Sequence, residues 1–229
     1  MSRLVRMAGP WSRAPITWSL IAANVLWFVA VEGVHGLGIP GLVESGALDW
    51  PDVAVFGQWW RISSSMFVHL GIAHLAVNMV SLWSMAAVER ILGRALFLVT
   101  YLVSGWFGNV LSLWLSPHNV VAGGASGAIF GVFGVALYLA LRGYLTKAAR
   151  NQMVAILVIN LLFDVTNTHI GTLAHIGGLV AGAGVAALAV RFPQIRTQRP
   201  VRWLSIVLAL VALGCLVLAV PGYSPALGA

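Results

Sequence analysis

Residues 121–141 read VAGGASGAIFGVFGVALYLAL, a glycine-rich run from Val121 to Gly127 that passes without a charge into an apolar stretch from Ser126 to Leu141. Apolar stretches recur along the chain, near Ile16 to Val31, Met66 to Val88, Ala95 to Leu115, Met153 to Phe163, Thr172 to Val190 and Trp203 to Val220. Crossing a ~30 Å hydrocarbon core takes about 20 apolar residues of helix, so these runs predict seven spans, the first and fifth being short. Strands of a membrane barrel alternate polar and apolar residues, whereas these stretches are continuously apolar with small residues at helical spacing. The expected fold class is all-α, a polytopic membrane helix bundle.

Composition excludes the alternatives. Of 229 residues, 60% are hydrophobic and 8% charged, too few polar groups to cover a soluble globule. The net charge of +7 is a topology signal and not a nucleic-acid signature, because cytoplasmic loops retain Lys and Arg. Arg3, Arg6 and Arg13 precede the first span, Arg90 and Arg94 follow the second, Arg142, Lys147 and Arg150 follow the fourth, and Arg191, Arg196, Arg199 and Arg202 follow the sixth. Only Arg61 has the opposite parity. Glu32, Glu44, Asp49, Asp52 and Asp164 fall on the other side, with Glu89 alone among the basic loops. The N-terminus is thus expected in the cytoplasm and the C-terminus outside, with spans two, four and six entering from the external face. The lone Cys215 excludes an intrachain disulfide. The first run lacks a small-x-small cleavage site and reads as a permanent anchor, and the basic segment Met1 to Pro15 is short for an import signal.

One membrane domain accounts for the chain, with short cytoplasmic loops and one long external segment, at about residues 32–65. Loops of that length carry function or structure of their own. Its tail, Gln58-Trp59-Trp60-Arg61, reads as an interfacial aromatic anchor.

Polar residues inside spans are costly and are functional candidates by default. His74 and Asn78 are four apart, on one helical face about 6 Å apart along the axis at ~1.5 Å rise per residue; such a pair serves as packing glue or as a site. Ser126 fits a helix N-cap, a small residue of a close-packed seam, or a nucleophile. His175 lies a few residues into the sixth span. The spacing from Gly178 to Gly182 is GxxxG, repeated from Gly127 to Gly131 on the fourth span, and such glycines let backbones approach closely. Packing along those faces would bring Ser126 and His175 together just below the outer surface. A serine hydroxyl needs a base within hydrogen-bond reach, and histidine suits that work near neutrality. No acid lies in a span near the pair, so a Ser-His dyad is expected in place of a triad. His74, Asn78 and the backbone amides around Gly124 to Ser126 are candidate oxyanion donors. His69, His74 and His175 lack the spacing of a zinc site and there is no HExxH. No metal and no cofactor is expected.

Taken in order, these residues resemble the rhomboid intramembrane serine proteases over roughly Trp59 to Val190. The family's HxxxN motif matches His74 to Asn78, its GxSG motif Gly124 to Gly127, and its AHxxG motif Ala174 to Gly178; Trp60-Arg61 matches the Trp-Arg pair of the first external loop and Val88-Glu89-Arg90 the end of the second helix. The resemblance implies that Ser126 attacks the peptide carbonyl, that His175 acts as base and then acid, and that His74, Asn78 and the Ser126 amide form the oxyanion hole, with Gly124, Gly127 and Phe130 shaping the site and Trp60, Arg61, Glu89, Gly178 and Gly182 structural. It also implies a six-helix core, residues 15–191, after a cytoplasmic segment, residues 1–14, and before a linker and seventh helix, residues 192–229. That order is common in bacterial members, which suggests the bacterial cytoplasmic membrane. Phe130 stands where many members have a tyrosine that stacks on the catalytic histidine.

The implied substrates are single-span membrane proteins, cut near the external face. Because a helix hides its amides in hydrogen bonds, segments weakened by Gly or Pro should be preferred. Two other classes fit parts of the pattern: a rhomboid-like pseudoprotease that binds membrane helices without cutting, and a small transporter with Ser, His and Asn lining a polar path, although transporters place sites nearer the midplane on interrupted helices.

Overall fold

The computed structural model describes residues 14–166 and 171–220. The basic residues Arg3, Arg6 and Arg13 and the C-terminal nine residues lie outside that description, as does the side chain of Asp164. The described residues are helical, with α1 (Pro15–His35), α2 (Ile39–Glu44), α3 (Trp50–Ala54), α4 (Arg61–Ser64), α5 (Ile72–Leu92), α6 (Arg94–Leu115), α7 (Ser126–Leu141), α8 (Lys147–Thr166), α9 (Thr172–Arg191) and α10 (Arg199–Ala219). The one extended pairing among them is an isolated antiparallel bridge between Leu48 and Ala122. Helices α1, α5, α6, α9 and α10 are each long and apolar enough to cross a membrane.

Helix α7 differs from these. Its 16 residues give about 24 Å at ~1.5 Å per residue, short of a ~30 Å core. Twelve of its positions, from Ser126 to Ala136 and Leu139, are buried. A helix apolar all round belongs in the interior, and α7 packs chiefly between α6 and α9.

The packing is by main chain. A Cβ at Gly178 would overlap the carbonyl oxygen of Gly127, and one at Gly182 the carbonyl oxygen of Gly131. On the neighbouring seam, a Cβ at Gly108 of α6 would strike the carbonyl of Ala174, and one at Gly131 the side chain of Ser104. Helix α9 therefore meets α6 and α7 backbone to backbone, and α7 meets α6 across the small side chain of Ser104, which fixes both depth and register.

Two expected boundaries move. The second span was expected from Met66, but its helix begins at Ile72, after Gly71 with φ +148°. Residues Met66 to His69 are buried irregular backbone; hydropathy reports burial there, not helix. The first span extends past Val31 to His35 through a π turn over Phe28–Glu32. At its start, Pro15 needs no amide partner. Glu89 accepts hydrogen bonds from Ile16 N (3.1 Å), Thr17 N (2.8 Å) and Thr17 Oγ1 (2.8 Å), a carboxylate at a helix N-terminus where the dipole favours it.

The external segment is built around a buried ion pair. The expected interfacial anchor at Trp60-Arg61 is corrected by the burial of Arg61, which has 0% exposed surface. Its guanidinium pairs with Asp52 Oδ2 at 2.9 Å and donates to the carbonyls of Val43 and Ala47 at 2.6 and 2.9 Å and to Gln58 Oε1 at 2.7 Å. Burial pulls its pKa below the ordinary arginine value while the Asp52 and Asp49 charges raise it. Trp59, by contrast, is half exposed and is suited to an interface. The loop is thus a folded unit that joins α2, α3 and α4.

Gly182→Ala should lower stability by about 1–3 kcal/mol, whereas Gly184→Ala, whose Cβ meets nothing within 4 Å, should be neutral or slightly stabilising; unfolding in detergent micelles separates the two. Asp52→Ala leaves the Arg61 charge buried without its ion-pair partner, and the same measurement should show a loss of about 3–5 kcal/mol.

Candidate active site

Ser126 is the first residue of α7 and His175 the fourth of α9. The glycine seam sets both helix starts at one level, and the imidazole Nε2 of His175 lies 2.6 Å from Ser126 Oγ. Ser126 is 8% and His175 3% exposed, so the pair is enclosed. The ring of Phe130, one turn into α7, stacks on His175 with centroids 4.2 Å apart and planes 3° from parallel. That flat contact holds the imidazole in the plane that points Nε2 at the serine. The hydroxyl that a tyrosine would add is not part of the stack.

The first turn of a helix leaves its amides without intrahelical acceptors. The first such bond of α7 runs from Ile129 N to Ala125 O, so the amides of Ser126, Gly127 and Ala128 have no partner within the helix and the positive end of its dipole sits at Ser126. On the other side stands His74. A Cβ at Gly124, which has φ +136°, would sit 2.8 Å from His74 Cε1 and 3.5 Å from Ser126 Oγ; glycine is required there both for backbone shape and to admit the imidazole. Leu70 N donates to His74 Nδ1 at 3.3 Å, which makes Nε2 the protonated nitrogen of the neutral ring. A donor therefore faces the space beside the serine.

Asn78 lies one turn further into α5 and is 1% exposed. Its Nδ2 donates to His74 O at 2.9 Å, spending one amide hydrogen and keeping a second. Gly127 borders the seam, where a Cβ would be 3.4 Å from the Ala174 carbonyl. Of the remaining sequence candidates, Trp60 and Arg61 belong to the external loop, Glu89 caps α1, and Gly178 and Gly182 form the seam. The carboxylates of Glu32, Asp52 and Glu89 bind His69 N, Arg61 and the start of α1 respectively. No cluster of His, Cys, Asp and Glu suited to a metal occurs among the described residues.

Three contributors escaped the sequence. Gly124 N donates to Ser65 O at 2.8 Å, and Asn109 Nδ2 donates to Ser65 Oγ at 3.0 Å and Ile62 O at 2.9 Å, so a polar side chain of α6 holds the segment that holds the nucleophile loop. Leu48 and Ala122 exchange amide hydrogen bonds of 2.8 and 2.9 Å. Trp50 stacks on His118 with centroids 4.0 Å apart. An intramembrane Asn at position 109 was the available signal.

A serine within hydrogen-bond reach of a histidine at the start of a buried helix, with amide and imidazole donors around it, is the kind of arrangement that serine hydrolases use. The rhomboid domain family matches residues 56–192, and the chain belongs to the rhomboid family. It is 39% identical over 175 residues to "Rhomboid protease GluP" of Bacillus subtilis, covering 75% of this chain and 34% of that protein. It is 38% identical over 143 residues to "Putative rhomboid protease YdcA" of the same organism, covering 61% of this chain and 72% of the other. A third relative, "RHOMBOID-like protein 6, mitochondrial" of Arabidopsis thaliana, is 33% identical over 67% of this chain and 51% of its own length. The chain thus spans about a third of the first of these relatives.

If the Phe130 ring serves to orient His175, a stack worth about 0.5–1.5 kcal/mol is what Phe130→Ala removes. Its kcat should fall about 2- to 10-fold with KM little changed, while Phe130→Tyr should keep the wild-type value; turnover of a peptide or membrane substrate in micelles reads the difference.

Proposed function

We propose that this chain is an intramembrane serine endopeptidase that hydrolyses peptide bonds of transmembrane proteins through Ser126 and His175. The observation that carries the proposal is the 2.6 Å contact between Ser126 Oγ and His175 Nε2 at the recessed start of α7. Neutral His175 takes the hydroxyl proton as Oγ adds to the carbonyl carbon. Negative charge then develops on the carbonyl oxygen, and the Ser126 amide, the His74 Nε2 hydrogen and the second Asn78 amide hydrogen are the donors proposed to receive it. The imidazolium returns its proton to the departing amine as the carbon–nitrogen bond breaks. Water, deprotonated by the same imidazole, releases the acyl group and restores the serine. Histidine performs both transfers without a carboxylate, its orientation being supplied by the Phe130 stack.

The substrates proposed are single-span proteins with a helix-weakening Gly or Pro near the cut, because an intact helix keeps its amides bonded and the enclosed pair can meet only an unwound segment. The protein is integral to the membrane. The distribution of basic residues supports a cytoplasmic N-terminus, an external active-site end and, with a seventh helix that follows the core, the bacterial cytoplasmic membrane. A helix-binding relative without activity is the second candidate; the intact serine–histidine contact speaks against it.

Reconstituted protein with a generic single-span substrate should cut it once, near the external end, and mass spectrometry of the products gives the position. Ser126→Ala and His175→Ala should abolish the cut, and a fluorophosphonate should label Ser126 alone. Asn78→Ala should retain ~1% or less of wild-type turnover if its amide is an oxyanion donor. Unchanged cleavage by Ser126→Ala would overturn the proposal.

A further inference from the structure

Seventh helix α10 is the most apolar of the long helices and the least enclosed, with 11% of its central window buried. Its outer end rests on the external loop, where a Cβ at Gly46 would lie 3.1 Å from Ala219 Cβ. Its inner end begins at Arg199. Between that end and the starts of α1 and α6 lies a cleft of about 690 Å³. Arg94, Arg196 and Arg202 line it, and Leu98, Ile206 and Leu210 form its apolar wall.

Three arginines line this space, and no Asp or Glu lines it. The nearest acid in sequence, Glu89, has its carboxylate committed to the first amides of α1. Among the described residues no ion pair involves these arginines, and only Arg196 is steered by a local bond, from Nη1 to Ile91 O at 3.2 Å. Like charges converging on one cleft repel unless an anion sits between them. Guanidinium groups match a phosphate with paired, charge-assisted hydrogen bonds. The wall below them is aliphatic and runs along α6 and α10, the dimensions of a chain and not of a free ion.

We propose that this cleft binds one anionic phospholipid, its phosphate between Arg94, Arg196 and Arg202 and an acyl chain along Leu98, Ile206 and Leu210. Basic pockets between helices on the cytoplasmic side are suited to anionic headgroups, and this cleft is at the basic end of the bundle. It opens at Arg94, while the serine–histidine pair lies at the level of Gly108, whose Cβ would meet Ala174, so the two are about 20 Å apart along α6 at ~1.5 Å per residue. The lipid fills the gap that α10 leaves and fastens the seventh helix to the core. This site is independent of the proposed proteolysis.

The test is native mass spectrometry of the full chain released from nanodiscs of equal phosphatidylglycerol and phosphatidylcholine. Wild type should retain one phosphatidylglycerol with about tenfold preference, equivalent to ~1.4 kcal/mol. Arg94→Gln with Arg196→Gln and Arg202→Gln should remove the preference, whereas Arg142→Gln with Arg150→Gln, basic residues of the same end outside the cleft, should keep it. Competition on wild-type protein needs no variant: inorganic phosphate in tenfold excess should fail to displace the lipid. Equal retention of both lipids, equal loss in the two variants, or displacement by inorganic phosphate would each overturn the proposal.

Discussion

A transmembrane helix that is too short to reach the surface imposes the central constraint on this molecule. Helix α7 begins at Ser126 inside the bundle, so the chain that leads to it enters the protein as irregular backbone. At that depth an amide without a partner costs several kcal/mol. The partners come from the external loop, in the bond from Gly124 to Ser65 and the exchange between Leu48 and Ala122. The loop can supply them only if it is itself fixed, and the buried Arg61 with Asp52 is what fixes it. One short helix thereby explains why a long external segment is folded and not merely a connection.

The same recess suits the chemistry proposed. A hydroxyl on the first turn of an interior helix has unfilled amides beside it and a low-dielectric surround in which each donor acts strongly. The Gly124 position, empty of side chain, lets His74 stand next to the serine. Shape and charge preparation at this site come from the same few residues.

Much of this was legible in the chain. The bounds of α7 and α9 follow from their apolar runs, and the glycine periodicity predicted the seam that aligns Ser126 with His175. Reading failed where apolar composition was taken for helix, at Met66 to His69, because hydropathy measures burial and is silent about backbone shape. It failed again at Arg61. A lone arginine beside two tryptophans looks like a surface anchor until its partner Asp52, nine positions earlier and on a different short helix, is seen beside it. Glu32, an acid of the external side by its place in sequence, is fully buried and accepts from His69 N at 2.9 Å. Pairings across the fold, like those of Arg61 and Glu32, leave no periodic trace.

The glycine contacts between α7 and α9 have a consequence for how this protein can change over time. Because main chain rests on main chain at Gly127 with Gly178 and at Gly131 with Gly182, the spacing between the backbones of Ser126 and His175 depends on no rotamer. Substitutions on the lipid-facing sides of these helices can accumulate without disturbing it. A single inserted residue between His175 and Gly182 cannot be absorbed, since it turns one site element about 100° against the other. Drift in side chains is free here, and drift in length is forbidden.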